Sequence, residues 1–521
     1  MSHVPVDRRF FIVLLVGVLA AGMALRVHKI NGSLPYPLHI DERNVSRPAI
    51  RILQTGDLNP HFFQKPSLPI YLAAAAYAFG FLDAAGHLGL RSVDQIGSVE
   101  YPFYTHRRVV RPARILFAAF SIVSLALSGV IAMQITGSAA QLFVAPLVLS
   151  ASAWFLGPSW MYLNADVIGT TFVLGAVVAS FAAMRGRAGM FDSAVAPGML
   201  CGFATASKYH FAVVLLSCLA CLWLSDAPRK GLRSLVLGAA AAAAYLITVP
   251  YALLDLRAFL NEVAYQVAAY GMSREPWRQA VRGAEYAVRD FGQLSLLAAG
   301  VGLIAIGRRD FRPLVGLVLF FVSLSVVLSQ YRLYFARNVL PLFAIYAIIA
   351  SAGIGGAAVA IASRSARRVR EGVALAALLA VFAASLPWSR VLEAYAIQID
   401  SRILVVRWIR ENLPAGSRIV IPEELAMNAG ALEREYDVMR VRFADLEPGD
   451  EPSWVLVPAF AVRRGPTAPA ARALRAKAER IGGMPVVTFE GGDVLVGYWV
   501  PVPWGNPKIQ VRRFGRGPGE L

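Results

Sequence analysis

Apolar runs of about twenty residues, the length that crosses a bilayer core, recur at roughly 10–28, 113–133, 140–160, 167–184, 234–250, 291–306, 313–330, 337–362 and 372–388. The stretch 194–225 is equally apolar but is broken by Ser207-Lys208-Tyr209-His210, which predicts two short membrane segments meeting at the polar break. Together the runs predict a polytopic α-helical membrane protein of about eleven membrane segments. Residues 70–82 are apolar for only about a dozen positions before Asp83, Gly86 and His87 intervene. They read as an interfacial or re-entrant helix. Arg8-Arg9 ahead of the first run reads as the flank of an uncleaved signal-anchor helix.

With 70–82 left out of the count, the short basic loops fall on one side of the membrane. They carry Arg8-Arg9, Arg185/Arg187, Arg229-Lys230/Arg233, Arg308-Arg309/Arg312 and Arg364/Arg367-Arg368/Arg370. Positive loops stay inside, so the N-terminus is expected in the cytoplasm of a multi-pass inner (plasma) membrane protein. The other side receives 29–112, 251–290, 331–336 and everything after about residue 389. That parity gathers Asp41, Glu42, Lys65, Asp166, Arg332 and Arg337 on the extracytoplasmic face.

Beyond the last run the periodicity changes. Residues 401–412 read as an amphipathic helix, and Arg418-Ile-Val-Ile-Pro, Trp454-Val-Leu-Val-Pro, Val486-Val-Thr-Phe and Val494-Leu-Val-Gly-Tyr-Trp-Val as short strands, with a further helix at 468–481. The expected organisation is a membrane domain over 1–390, with 29–112 as its first external loop, and a small extracytoplasmic α/β domain over 391–512. A glycine-rich tail at 513–521 is expected to be disordered.

Composition supports this division. The chain is 57% hydrophobic and 16% charged, below the quarter usual for soluble domains. The formal net charge of +18 could suit nucleic acid, but the cations lie in short clusters between apolar runs, where they serve topology and phosphate headgroups. No nucleic-acid partner is expected. Cys201, Cys218 and Cys221 all lie in apolar segments, so the CxxC spacing of the last two reads as packing rather than a redox or zinc site.

Two carboxylates in the first external loop, Asp41 and Glu42, stand out against the basic background. On a helix adjacent residues point about 100° apart, so one would face a substrate while the other orients it. The ordinary alternative is a solvated pair, or a cap on a helix beginning near Asn44. Lys208 interrupts apolar sequence, which is expensive unless it is paired, lines a cavity or snorkels to the interface. Asp166 sits between two runs as a substrate contact or a helix cap, and Arg332 and Arg337 flank Tyr334-Phe335 as ligand cations or interfacial anchors. Arg107, Arg108, Arg111 and Arg114 run against the charge trend and suggest phosphate or lipid binding, or local capping and pairing. The aromatic and arginine-rich 251–290 loop suits either a sugar phosphate or an interfacial amphipathic helix, the second being preferred. His39 beside the carboxylates could contribute to a divalent metal site, but no HxxE or DxD spacing completes one, and no cofactor is expected.

Over roughly 10–390 the chain resembles the GT-C superfamily of polyprenyl-phosphate-sugar-dependent glycosyltransferases, in particular the protein O-mannosyltransferases and the lipid A aminoarabinose transferases. The resemblance rests on Asp41-Glu42, on Lys65-Pro66-Ser67-Leu68 with serine in place of a second proline, and on Tyr162-Leu-Asn-Ala-Asp166. Gly202-Phe-Ala-Thr-Ala-Ser-Lys208-Tyr209 and Arg337-Asn-Val-Leu-Pro341, with asparagine in place of tyrosine, complete it. It implies an inverting, metal-independent glycosyltransferase that takes a sugar from a polyprenyl phosphate and gives it to a glycolipid, glycan or protein acceptor. In that reading Asp41 is the catalytic base, and Glu42, Lys65, Asp166, Lys208, Tyr209, Arg332 and Arg337 bind substrate. A transporter or flippase of lipid-linked glycans is the main alternative. Transporters place ionisable residues mid-membrane within related repeats, whereas here the charges crowd one rim and no repeat appears. A receptor acting through its C-terminal domain would leave the loop acids unexplained.

Overall fold

The structure, a computed structural model, describes residues 8–28, 30–31, 40–88, 91–96, 107–160, 163–185, 189–362, 376, 379–380, 401–425, 432–442, 445, 453–458, 485–489 and 509–514. The expected span at 372–388 (save 376 and 379–380), the helix at 468–481, the strand near 494–500 and the tail from 515 lie outside the described residues.

Sixteen α-helices precede the C-terminal region among the described residues. They are α1 (Arg8–Val27), α2 (Ile40–Thr55), α3 (Leu68–Leu88), α4 (Arg107–Thr136), α5 (Gln141–Ser150), α6 (Ala153–Leu156), α7 (Ala165–Arg185) and α8 (Ala196–Ser207). There follow α9 (Val214–Leu224), α10 (Lys230–Thr248), α11 (Tyr251–Leu254), α12 (Leu256–Tyr270), α13 (Pro276–Phe291), α14 (Leu294–Arg309), α15 (Phe311–Ser329) and α16 (Leu340–Ala362). Among the described residues, seven helices are long and apolar enough to cross a membrane, or eight if α13 and α14, bent by 107° at Gly292-Gln293, count as one. The protein is a multi-pass membrane protein.

The chain folds as two compact units. One comprises Met1–Ile30, Asn44–Gln95 and Arg108–Trp388; the other comprises Asn31–Arg43, Ile96–Arg107 and Ser389–Leu521.

In the first unit, the broken stretch 194–225 folds back on itself. Cys201 of α8 and Cys218 of α9 bring their sulfurs to 3.5 Å, which only an antiparallel pair allows for residues so far apart in sequence. Lys208 and Tyr209 form the tip of this hairpin. Gly198 and Gly202 of α8 let its backbone meet α10, since a Cβ on either would collide with the carbonyl oxygens of Leu237 and Ala241. α4 and α7 run in the same direction: Thr171 donates to Phe120 O at 2.7 Å, and Gln134, further along α4, donates to Val178 O at 3.3 Å. The starts of α4 and α7 therefore lie at one end of the bundle, which also holds the hairpin tip. α14 and α16 cross backbone to backbone at Gly302 and Gly353.

α3 is 21 residues long, not the dozen the apolar pattern predicts. Asp83 and His87 do not end it, because their side chains pair within the helix (3.6 Å) and Asp83 also meets Arg108 at 3.6 Å. Gly80 packs on the backbone of Val109 in the first turn of α4, and the loop before α3 is bonded to Tyr209. Both ends of α3 thus adjoin the same end of the bundle.

In the second unit, β1 (Arg418–Pro422), β2 (Asp437–Val441), β3 (Ser453–Pro458), β4 (Pro485–Phe489) and β5 (Ile509–Phe514) form one sheet in the order β2-β1-β3-β5-β4. β1 pairs in parallel with β2 and β3, while β5 pairs antiparallel with β3 and β4. The helix Ser401–Asn412 buries Val405 and Ile409 against Ile419, Ile421, Leu456, Ile509 and Val511. The tail expected to be disordered from 513 is corrected here: Arg513 and Phe514 pair with Trp454 and Ser453 inside β5.

Candidate functional site

The centre of the first unit's charged chemistry is an ion pair at the hairpin tip. Lys208 Nζ lies 2.8 Å from Asp166 Oδ1, with both side chains nine-tenths or more buried. Lys208 follows the last turn of α8 in an extended conformation (φ −155°, ψ 120°), which turns its side chain off the helix axis. Asp166 is in the first turn of α7, but it is not the cap: Asn164 Oδ1 takes the Asp166 amide at 2.8 Å. The Asp166 carboxylate is thereby left to meet Lys208. Gly169, one turn further on, makes room for the Phe211 ring, which a Cβ there would meet at 2.5 Å. Lys208 does not snorkel; its ammonium keeps a carboxylate partner where it stands, which makes its burial tolerable.

Tyr209 links this pair to the loop that carries Lys65. Its hydroxyl donates to the Phe63 carbonyl at 2.8 Å. The loop from 57 to 67 is held along its length. Asp57 Oδ1 accepts the Asn59 amide (2.9 Å), Asn59 Oδ1 accepts the His61 amide (3.0 Å), and the His61 ring meets Asp57 at 2.8 Å. These bonds hold His61 in the left-handed region at φ 45°. The hydrogen bonds from His61 and Asn59 also keep the Asp57 carboxyl below its ordinary value. Lys65 itself is 9% exposed.

α12 closes the far side of this loop. Phe259 and Glu262, three residues apart, share one face of α12, and Asp255 stands just before its first turn. Asp255 Oδ2 accepts from Asn59 Nδ2 at 2.9 Å, and Glu262 Oε2 accepts the amides of Phe63 (2.6 Å) and Gln64 (3.2 Å). The Phe259 ring meets Phe63 and Tyr209 edge-on, with centroids 5.8 and 6.2 Å away.

Arg332 and Arg337 belong to a second cluster, on the segment 331–338. Arg332 is exposed; its backbone donates to Gly271 O at 2.9 Å and accepts from Gln279 of α13 at 3.1 Å. Arg337 is half-buried, with its guanidinium 4.1 Å from the Phe335 ring centre. Tyr334 packs on Tyr286 at 5.9 Å, and burial pushes its hydroxyl well above the ordinary tyrosine range. The expected interfacial region 251–290 is helical, and α12 exposes Leu256, Leu260, Tyr265 and Val267. Of the basic run before the second span, Arg108 meets Asp83, while Arg114 is fully buried and donates to Ile30 O at 2.7 Å.

Asp41 and Glu42 fall in the second unit and are described by themselves. They lie inside the first turn of α2, which begins at Ile40 and not near Asn44 as expected. Their negative charge suits the positive end of that helix. Both are buried, Asp41 to 4% exposure and Glu42 to 0%, so the solvated-pair alternative is excluded. His39 and Tyr162 lie outside the described residues.

Three charged residues at this end of the first unit carry no motif and escape a reading of the sequence: Glu262, Asp290 and Arg26. Asp290 accepts from the Ser152 hydroxyl and from the Trp154 amide (3.2 Å), holding the start of α6, and Tyr286 of the same helix stacks on Trp154 at 6.0 Å. Arg26, fully buried, donates to Ser159 Oγ at 2.8 Å, and Trp160 donates to His28 O at 2.7 Å. The segment 152–160 that leads to Asp166 is thus pinned at both ends.

Among the described residues, no three His, Cys, Asp or Glu side chains gather where they could hold a metal ion. No protein-family model and no curated protein matches the sequence. The fold has solved counterparts. The oligosaccharyltransferase of Archaeoglobus fulgidus, solved with Zn and sulfate, aligns with a TM-score of 0.52 at 13% identity over 82% of this chain and 62% of its own. The same organism's oligosaccharyltransferase AglB, solved with an inhibitory peptide and a dolichol-phosphate, aligns at 0.51 and 13% identity over 79% and 62%. ArnT from Cupriavidus metallidurans in the apo state aligns at 0.50 and 12% identity, over 96% of this chain and 98% of its own. The chain thus spans about 62% of the length of the oligosaccharyltransferases and nearly all of ArnT. The fold is the one these solved structures share with this chain.

Proposed function

We propose that this chain, built on the GT-C fold, is an integral-membrane inverting glycosyltransferase. It moves a sugar from a polyprenyl-phosphate donor to a glycolipid, glycan or protein acceptor on the extracytoplasmic face of the inner (plasma) membrane. One observation carries the reading: a buried lysine, Lys208, paired with Asp166 and linked through Tyr209 to the loop of a second lysine, Lys65. Two cations fixed at one end of a membrane bundle suit an anionic headgroup presented at the bilayer surface.

The chemistry follows from the bonds exchanged. The acceptor oxygen attacks the anomeric carbon, the carbon–oxygen bond to phosphate breaks, and the electron pair leaves on the lipid phosphate. A departing phosphate needs cationic stabilisation more than protonation, which Lys65 and Lys208 supply, with Arg332 and Arg337 as further ligands for the donor. Asp166 holds Lys208 in place, and Tyr209 holds the Lys65 loop. A hydroxyl acceptor must also lose a proton. Asp41 takes it, with Glu42 beside it in support, at the cost of burying two carboxylates at a helix start. A phosphate acceptor would need no base, and Asp41 would then only position it.

The test is transfer by purified protein in lipid nanodiscs, supplied with polyprenyl-phosphate sugars and candidate acceptors. Asp41→Asn should lower turnover about 100- to 10,000-fold with the fold retained; near-normal transfer by this variant would sink the base assignment. Orientation is tested separately by impermeant labelling of cysteines placed at the exposed positions 278 and 309. They should react from opposite faces, and labelling of both from one side refutes the topology.

A further inference from the structure

Lys65 is held from both directions along the chain. On its C-terminal side stands Pro66, which disfavours the helical region of backbone space for Lys65. On its N-terminal side, the amides of Phe63 and Gln64 both donate to one oxygen of Glu262, at 2.6 and 3.2 Å. That carboxylate comes from α12, some 200 residues away in sequence. Bonds from backbone amides to a charged acceptor are about twice as strong as neutral ones. The carbonyl of the same Phe63 accepts the Tyr209 hydroxyl at 2.8 Å, and the Phe259 ring, one turn before Glu262, touches both Phe63 and Tyr209. One face of α12 therefore grips the turn before Lys65 and the turn after Lys208 at once.

We infer that Glu262 is a positioning residue that sets Lys65 against the Lys208–Tyr209 tip, so that the two lysines address a single anionic group. The inference rests on the donor-phosphate reading above. The rest of α12 fits a clamp. The helix has no fully buried residue, and among its described contacts those that reach the lysine loops are made by Asp255, Phe259 and Glu262. Its opposite face exposes Leu260 and Val267.

The experiment uses the full chain in nanodiscs and undecaprenyl phosphate as the probe, with wild type, E262A, E262Q, K65A and E262A/K65A compared. E262A should weaken binding about tenfold. E262Q keeps an acceptor oxygen of the same reach and should weaken it threefold or less. In the K65A background, E262A should add no further loss. An equal loss with and without Lys65, or no loss at all, overturns the inference. Amide exchange gives a second arm that does not depend on any ligand. E262A should speed exchange in the segments 60–67 and 208–213 at least tenfold while α7 stays protected, and unchanged exchange in those segments also overturns it. Failure of the wild type to bind the lipid phosphate would instead defeat the parent reading, with the exchange arm still deciding whether Glu262 holds the turn.

Discussion

The two ends of the helical bundle in the first unit carry ion pairs of similar residue types and use them differently. At one end Lys208 and Asp166 meet at 2.8 Å with side chains 10% and 1% exposed. At the other, beyond the last turns of α7 and α14, Arg312 meets Asp310 at 3.0 Å and Asp226 at 3.8 Å in partial or full contact with solvent. The second arrangement is ordinary capping: Asp310 accepts the Arg312 amide at the start of α15, and the neighbouring guanidinium keeps its carboxyl below the usual range. Exposed pairs of this kind are worth about 0–1 kcal/mol. The buried pair has a larger hold on the fold, because removing either partner strands a charge. Burial, not residue type, separates the end suited to chemistry from the end suited to topology.

The contrast can be broken most directly at the pairs themselves. Lys208→Ala should destabilise the protein by about 3–5 kcal/mol and lower transfer by about 100-fold or more. Arg312→Ala should cost under about 1 kcal/mol and leave transfer intact. Thermal unfolding in detergent and the transfer assay measure both, and equal losses at the two ends would erase the distinction. A Lys208→Met, Asp166→Leu double variant sharpens it further, since it should regain stability without regaining transfer.

Packing near each pair offers the next test. Gly169→Ala forces a methyl group into the Phe211 ring and should cost about 1–3 kcal/mol. Gly231→Ala, near the opposite end with nothing within 4 Å, should be neutral or stabilising by up to about 1 kcal/mol. If both variants melted at the same temperature as wild type, the tighter packing around Asp166 would have no energetic meaning. Tyr209→Phe removes one hydrogen bond and should cost about 1 kcal/mol, seen as faster exchange of the 57–65 loop.

Acidity gives the smallest effect. Asp57 has its carboxyl lowered from 3.8 by the bonds from His61 and Asn59. A carboxyl with a depressed folded-state pKa contributes stability that is present above its unfolded value and lost as pH falls through the folded one. The Asn59 amide should therefore lose protection, measured against its intrinsic exchange rate, only as pH falls below the unfolded carboxyl value of about 4, and protection unchanged down to acid unfolding would contradict the assigned bond.

Much of this was legible in the sequence. A lysine inside an apolar run must be paired, line a cavity or reach the interface, and the polar break at 207–210 marked where two short membrane segments meet. Strands β1, β3 and β4 showed as apolar runs. Strand β2, largely exposed with Arg440 within it, and β5, with Arg512 and Arg513, did not. Helix starts were read late or short: α2 begins at Ile40, because the Asp41 and Glu42 charges favour the first turn itself and not the position before it. Glu262 was invisible for a different reason. Its spacing from Phe259 marks one helix face, but nothing local says that the face meets a loop some 200 residues earlier.

The hairpin also bears on how the protein is made. α8, continuous with the π-turn Phe191–Val195, and α9, continuous with the 3-10 turn Tyr209–Val213, are apolar halves joined at a charged residue, so inserting the pair brings Lys208 with it. A lysine in mid-membrane carries an insertion penalty of about 2.5–3.5 kcal/mol. Chains emerge N-terminus first, so α7 and Asp166 are made before the hairpin. The waiting carboxylate gives the travelling ammonium a destination, and the order of the two residues along the chain becomes part of the assembly programme.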